Sequence, residues 1–190
     1  LSNDKHDIAN MMFFERHVHR HLDWKHPTDW LGSSFYWVLE RNARIMAVLA
    51  CPQDQKEITW LRLFTHVDHC PTEEAWGILW ENAKEDLKAH GNIKVSAISL
   101  QNWMQSLLQE SGFVNDEKIL ILSWEEKKAP DYVLPEGITI RLMTEGDLPE
   151  VSRVDADAFA PLWQNQLSML EQAYSHAELP TVALLENEIV

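Results

Sequence analysis

Apolar residues recur at helical spacing near the start of the chain, at Ile8, Met11, Met12, Phe14, Val18 and Leu22, and predict a helix within residues 6–24. Residues 23–34, with Pro27, Gly32 and two serines, read as a connector. The pattern then changes to short β-branched and aromatic runs. Residues 35–39 and 45–50, joined near Arg41-Asn42-Ala43, predict a hairpin, and a turn at 52–56 leads to a third strand at 58–67. Helical spacing returns at Ala75, Trp76, Leu79, Trp80, Ala83 and Leu87, one face of a helix from Thr72 to His90 that Gly91 stops. A short strand at 95–100, a helix through Trp103, Leu107 and Leu108 ending at Gly112-Phe113, and a strand at 118–124 complete this stretch.

Residues 125–137 carry mixed charges, two prolines and a closing Glu-Gly, the composition of a linker. Beyond it the pattern restarts with a strand at 138–142, helices at about 145–159 and 164–177, and an apolar strand at 181–185. Hairpins followed by strand-helix-strand-helix argue for a mixed α/β or α+β sheet rather than a doubly wound one. The domain reading is therefore 1–127, a linker at 128–137, and a second, incomplete unit at 138–190. A first residue Leu1 and an apolar run at the other end suggest a fragment or processed form.

Charge narrows the partners. A formal charge of −14 argues against nucleic acid and anionic membrane surfaces and favours basic or amine-bearing ones. No apolar run approaches the roughly 18 residues of a membrane span. Two cysteines, Cys51 and Cys70, make no disulfide framework and fit a reducing cytoplasm. The nine tryptophans are scattered along the chain, which reads as core and interface anchoring rather than a stacking platform.

The richest chemistry lies where the strand at 58–67 meets the helix at Thr72, across Asp68-His69-Cys70-Pro71. A strand feeding a helix N-terminus gathers unpaired N–H groups and the positive end of the helix dipole, a phosphate cradle. Here the first turn also carries Glu73 and Glu74. Acidic residues at that position complement the dipole by themselves and require no ligand.

Around residue 138 the sequence resembles the opening of the GNAT superfamily of N-acetyltransferases: Ile138-x-Ile140-Arg141, then Thr144-x-x-Asp147-Leu148 and Ala158-Phe159, look like its first strand and helix. Residues 35–124 resemble the remainder of such a domain, and Leu107-Leu108-Gln109-Glu110-Ser111-Gly112-Phe113 is similar to its helix closing in Gly-Phe. The fold implied is a GNAT-like mixed, largely antiparallel sheet flanked by helices. The cosubstrate implied is acetyl-CoA.

The family's loop runs Arg or Gln, two residues, Gly, any residue, then Gly or Ala, after a valine that ends the strand. Placed from Val67, these positions fall on Thr72, Ala75 and Gly77, of which the last matches. The resemblance thus implies a cofactor site at Val67, Thr72, Ala75, Trp76 and Gly77, with Gln101 where the family often has asparagine at the start of the later helix. The family's tyrosine before Gly-Phe, a general acid, is replaced by Leu108, which donates no proton. The implied mechanism is direct attack of an amine on the thioester, its carbonyl polarised by backbone near His66 and Val67, with His66 as the base. The bland reading of His66 is a polar residue at a strand end.

His17 and His21 would share a face at i and i+4 of a helix, a chelating geometry. No third ligand lies beside them, nor beside His66, His69 and Cys70, and no metal is assigned. Two functions follow: an acetyl-CoA-dependent N-acetyltransferase acting on a small-molecule or peptide amine, or a non-catalytic GNAT-like module for dimerisation or acyl-CoA sensing. Because the first domain lacks its own opening strand, residues 138–190 are expected to pack on its sheet, within one chain or by segment exchange in a homodimer.

Overall fold

The hairpin is present in the computed structural model, which describes residues 2–22, 25–53, 55–91, 93–123, 125 and 133–190. Strands β2 (Tyr36–Arg41) and β3 (Arg44–Ala50) pair antiparallel around Asn42 and Ala43, both at positive φ, 54° and 57°. Those angles make the tight two-residue turn whose twist matches that of the flanking strands. Here β3 is the spine of the sheet, because its two faces are both apolar. Ala47, Leu49 and Cys51 point into one core, and Val48 and Ala50 into another.

The sequence anticipated one strand at 58–67; the structure divides it into β4 (Ile58–Trp60) and β5 (Leu63–His66). Leu61 N–H donates to Ser96 O at 2.8 Å, and the next amide, Arg62 N–H, donates the other way to Ala50 O at 2.8 Å. Successive amides aimed in opposite directions let the strand change neighbours. Ahead of the break β4 runs parallel to β6 (Lys94–Ser96), and after it β5 runs antiparallel to β3. The strand anticipated at 95–100 is confined to this short pairing.

The expected helix over 6–24 is corrected. Helix α1 (Ser2–Phe14) stops early, and Val18–Arg20 form β1, antiparallel to β5, with Val18 opposite Thr65, His19 opposite Phe64 and Arg20 opposite Leu63. Across His17-Val18-His19-Arg20-His21 the histidines share one face, with His19 and His21 buried, while Val18 packs on the opposite core and Arg20 is exposed. Burial of polar rings disguised a strand as a polar helix face. The resulting sheet has the order β1-β5-β3-β2. The edge of the strand that leaves β6 after Leu61 is taken up by β1 from Arg62, whose carbonyl accepts from His21 N–H at 2.9 Å.

Helices cover both faces. Ile8 and Met11 of α1 pack with Val48, Ala50 and Leu63. On the other face α2 (Thr72–Ala89) sets Ala75, Trp76, Leu79, Trp80, Ala83 and Leu87 against Leu49 and Phe64, and α3 (Asn102–Glu110) adds Met104, Leu107 and Leu108. Trp76 stacks on Trp80 with centroids 5.4 Å apart and meets the edge of Phe64 at 5.0 Å. Its indole N–H donates to Ser111 Oγ at 2.7 Å, so the polar end of a buried ring is satisfied. Trp30 and Trp60 are buried as well, while Trp24 and Trp124 lie outside the described residues. This is a mixed α+β fold with a largely antiparallel sheet flanked by helices.

The chain divides into two units, Leu1–Asp116 and Glu117–Val190. The strand expected at 118–124 does not form over the described residues 118–123, where Leu120 and Leu122 are exposed. Apolar β-branched character makes a strand only where a partner edge is offered. Residues 128–132 of the expected linker lie outside the described residues. In the second unit β7 (Ile138–Leu142), β8 (Thr181–Leu185) and β9 (Glu188–Ile189) form an antiparallel three-stranded sheet, so this segment has a sheet of its own where none was expected. Helices α4 (Leu148–Ala158) and α5 (Leu167–His176) complete it. Asp147 closes a capping box with Thr144 on the single turn Glu145–Asp147 that precedes α4: its carboxylate accepts from Thr144 N–H and hydroxyl and receives both ends of the Arg141 guanidinium at 2.7 Å.

Candidate functional site

In the first unit the end of β5, the following loop and the start of α2 converge. The loop is tied by Val67, whose N–H donates to Met46 O and whose carbonyl accepts from Cys70 N–H, both at 2.9 Å. Pro71 then occupies the N-cap of α2 with no side-chain cap. The first helical bond runs from Ala75 N–H to Pro71 O, so the amides of Thr72, Glu73 and Glu74 precede it.

His66 lies beneath this junction, 2 % exposed. Its Nδ1 is 3.0 Å from Val67 O, and its Nε2 is 2.9 Å from Thr72 Oγ1. A carbonyl oxygen only accepts, so Nδ1 carries the hydrogen. In the neutral ring Nε2 is then a bare lone pair, and the Thr72 hydroxyl donates to it. The imidazole of His17, half-buried, lies flat on that of His66 with centroids 5.1 Å apart and planes within 18°. Trp103 meets His17 edge-on at 5.1 Å. Burial, and next the neighbouring His66, lower the His17 pKa and favour its neutral form.

The six residues proposed for a cofactor fall into different settings. Val67 and Thr72 are joined to His66 by the bonds just described, and both backbone groups of Val67 are already engaged within the fold. Ala75 and Trp76 face the core and would offer a ligand only main chain. Gly77 is half-buried inside α2, and a Cβ there would meet nothing within 4 Å, so packing does not require a glycine. Gln101 stands at the N-cap of α3, where its carbonyl accepts from Gln105 N–H and Ser99 Oγ and its side chain caps nothing. Leu108 is buried in the core.

The two carboxylates in the first turn differ. Glu74 pairs with Arg41 at 3.0 Å, and Glu73 is exposed. Nearby Cys70 is buried; desolvation first, and Glu74 second, push its thiol up and keep it from ionising. Cys51 is pushed up by burial alone.

The chelating pair read from the sequence is corrected by β1. His17 and His21 lie on one face of a strand, where positions four apart are separated by about 13 Å, too far to share a metal. Among the described residues no three His, Cys, Asp or Glu side chains gather as a metal site. Among the described residues, too, no helix is long and apolar enough to cross a membrane. Sequence reasoning named His66 and Thr72 separately and missed their bond, along with the place of His17; the alternation of residues 17–21 was the available signal.

No protein-family model and no curated protein matches this chain.

Proposed function

We propose that the first unit is a GNAT-like module that takes acetyl-CoA as cosubstrate and passes its acetyl group to a small-molecule or peptide amine. The observation that supports this reading is the parting of β4–β5 from β6 after Leu61, followed by a strand that leads through the loop at 67–71 into the uncapped first turn of α2. Amides at that turn suit a pyrophosphate, and the strand leads a thioester toward His66 and Thr72. Isothermal calorimetry with acetyl-CoA, followed by turnover assays on a panel of amines, tests it. Binding with turnover supports transfer; absence of binding at millimolar cofactor ends it.

A second reading rests on its own observations. The edge of β5 beyond the parting is covered by β1, and Leu108 stands buried where the family has its acid. Both suit a non-catalytic module that senses acyl-CoA or assembles with a second copy by segment exchange. Calorimetric binding without turnover on any amine is its signature. The negative charge of the chain makes a cationic amine the favoured acceptor in the first case.

A further inference from the structure

The bond between Thr72 and His66 does more than satisfy a buried ring. The geometry points to Thr72 as a covalent acyl acceptor, with His66 as the base that activates its hydroxyl. A nucleophile and base within hydrogen-bond reach, with the base oriented by a third group, is the arrangement that activates a hydroxyl for acyl transfer. Here the reach is 2.9 Å and the third group is Val67 O, which fixes the tautomer that leaves Nε2 free to accept. Stacking by His17 keeps the ring from turning. Base and nucleophile also differ in exposure: the imidazole is buried and the threonine is half-buried, so the hydroxyl-bearing residue is the more accessible of the two. Neither cysteine competes, because burial holds both thiols protonated.

The step balances with an acyl thioester as donor. Thr72 Oγ1 attacks the carbonyl carbon while its proton passes to His66 Nε2. The carbon–sulfur bond breaks, and the imidazolium returns the proton to the departing thiolate. The ester on Thr72 is then released to an amine or water, whose proton travels through His66 back to Oγ1. In this scheme the first turn of α2 takes the acyl group rather than the pyrophosphate, and its amides, which precede the first helical bond at Ala75, suit the developing oxyanion. This inference rests on the acyl-transfer reading for its natural donor, and it replaces direct attack by two steps.

p-Nitrophenyl acetate tests it without coenzyme A. The full chain is incubated with the ester, quenched in acid, and peptide-mapped by mass spectrometry, while nitrophenolate release is followed by absorbance. The expected result is acetyl at position 72 both in the native protein and in Thr72→Ser. In Thr72→Val that label is absent and release is slower by roughly 10²-fold or more, and His66→Gln slows it by roughly 10²–10⁴-fold. An unlabelled Thr72 peptide, or release in Thr72→Val at the native rate, overturns the proposal. The Val and Ser variants decide the matter even where His66→Gln does not fold. Acetyl-CoA binding with an unlabelled Thr72 defeats this inference alone; a labelled Thr72 without acetyl-CoA binding defeats only the cosubstrate assignment.

Discussion

His19 stands opposite Phe64 in the register of the β1–β5 pair, and its buried imidazole makes one long approach, 3.4 Å, to Leu61 O. Desolvation pulls its pKa down to about 4, and His21, buried beside Arg62 and Trp60, falls to about 3. Both rings fold neutral and gain a proton only when β1 leaves the sheet. The unfolded state therefore binds more protons below about pH 6.5. Stability should be level above that pH and fall by about 1.4 kcal/mol per pH unit per histidine below it, toward pH 4 for His19 and pH 3 for His21. Urea midpoints measured from pH 7.5 down to 4.5 check this. His19→Leu should flatten the slope, and an unchanged slope in that variant would place the acid sensitivity elsewhere.

The turn between β2 and β3 is built against side-chain preference. Ala43 sits at φ 57°, a region where a Cβ costs about 1–2 kcal/mol. Glycine removes that strain and gives back part of the gain in unfolded-chain entropy. Ala43→Gly should raise stability by about 0.5–1 kcal/mol, read as a higher denaturant midpoint with the same slope.

Gly77 offers the opposite test. Within α2 a glycine costs about 1 kcal/mol relative to alanine, and the space around its missing Cβ is open. Gly77→Ala should therefore stabilise the first unit by up to about 1 kcal/mol. If the glycine is kept for the approach of a pyrophosphate, the same variant weakens acetyl-CoA binding in calorimetry. A more stable protein with unaltered binding would detach Gly77 from the cofactor.

In the second unit the two-point pair of Arg141 with Asp147, reinforced by Thr144, holds the Asp147 carboxyl well below the usual carboxylate range. A lowered folded pKa contributes stability above the unfolded value near 4 that is lost as pH falls through the acid range. Asp147→Asn and Arg141→Lys should both lower the melting temperature at neutral pH. The lysine keeps the charge and loses the fork, so the gap between Arg141→Lys and the native protein reports the two-point geometry.

Local rules recovered much of the first unit. The hairpin and α2 follow from side-chain periods that one element reveals by itself, as the Trp76–Trp80 face illustrates. What escaped depends on partners remote in sequence. Val18 and Leu22 fall in helical phase with Phe14, and nothing local says that Phe64 will pair with His19 instead. Residues 118–124 read as a strand by composition, yet the described residues 118–123 form none, because a strand also needs a partner edge that composition does not describe. The site fared likewise. His66 and Thr72 were visible as residue types, whereas the loop that closes six positions into one hydrogen bond is a property of the Val67 carbonyl and Pro71.

The division of β4 from β5 also sets an order of events in folding. Pairings of β2 with β3, and of β3 with β5, close short stretches of chain, whereas β1 pairs with β5 across a much longer one, Arg20 to Leu63. Closing long loops is slow, so the histidine-bearing strand is the late arrival. Until it docks, the strand that carries His66 presents a bare row of main-chain groups, and a nascent chain in that interval can be captured there by another of its own kind.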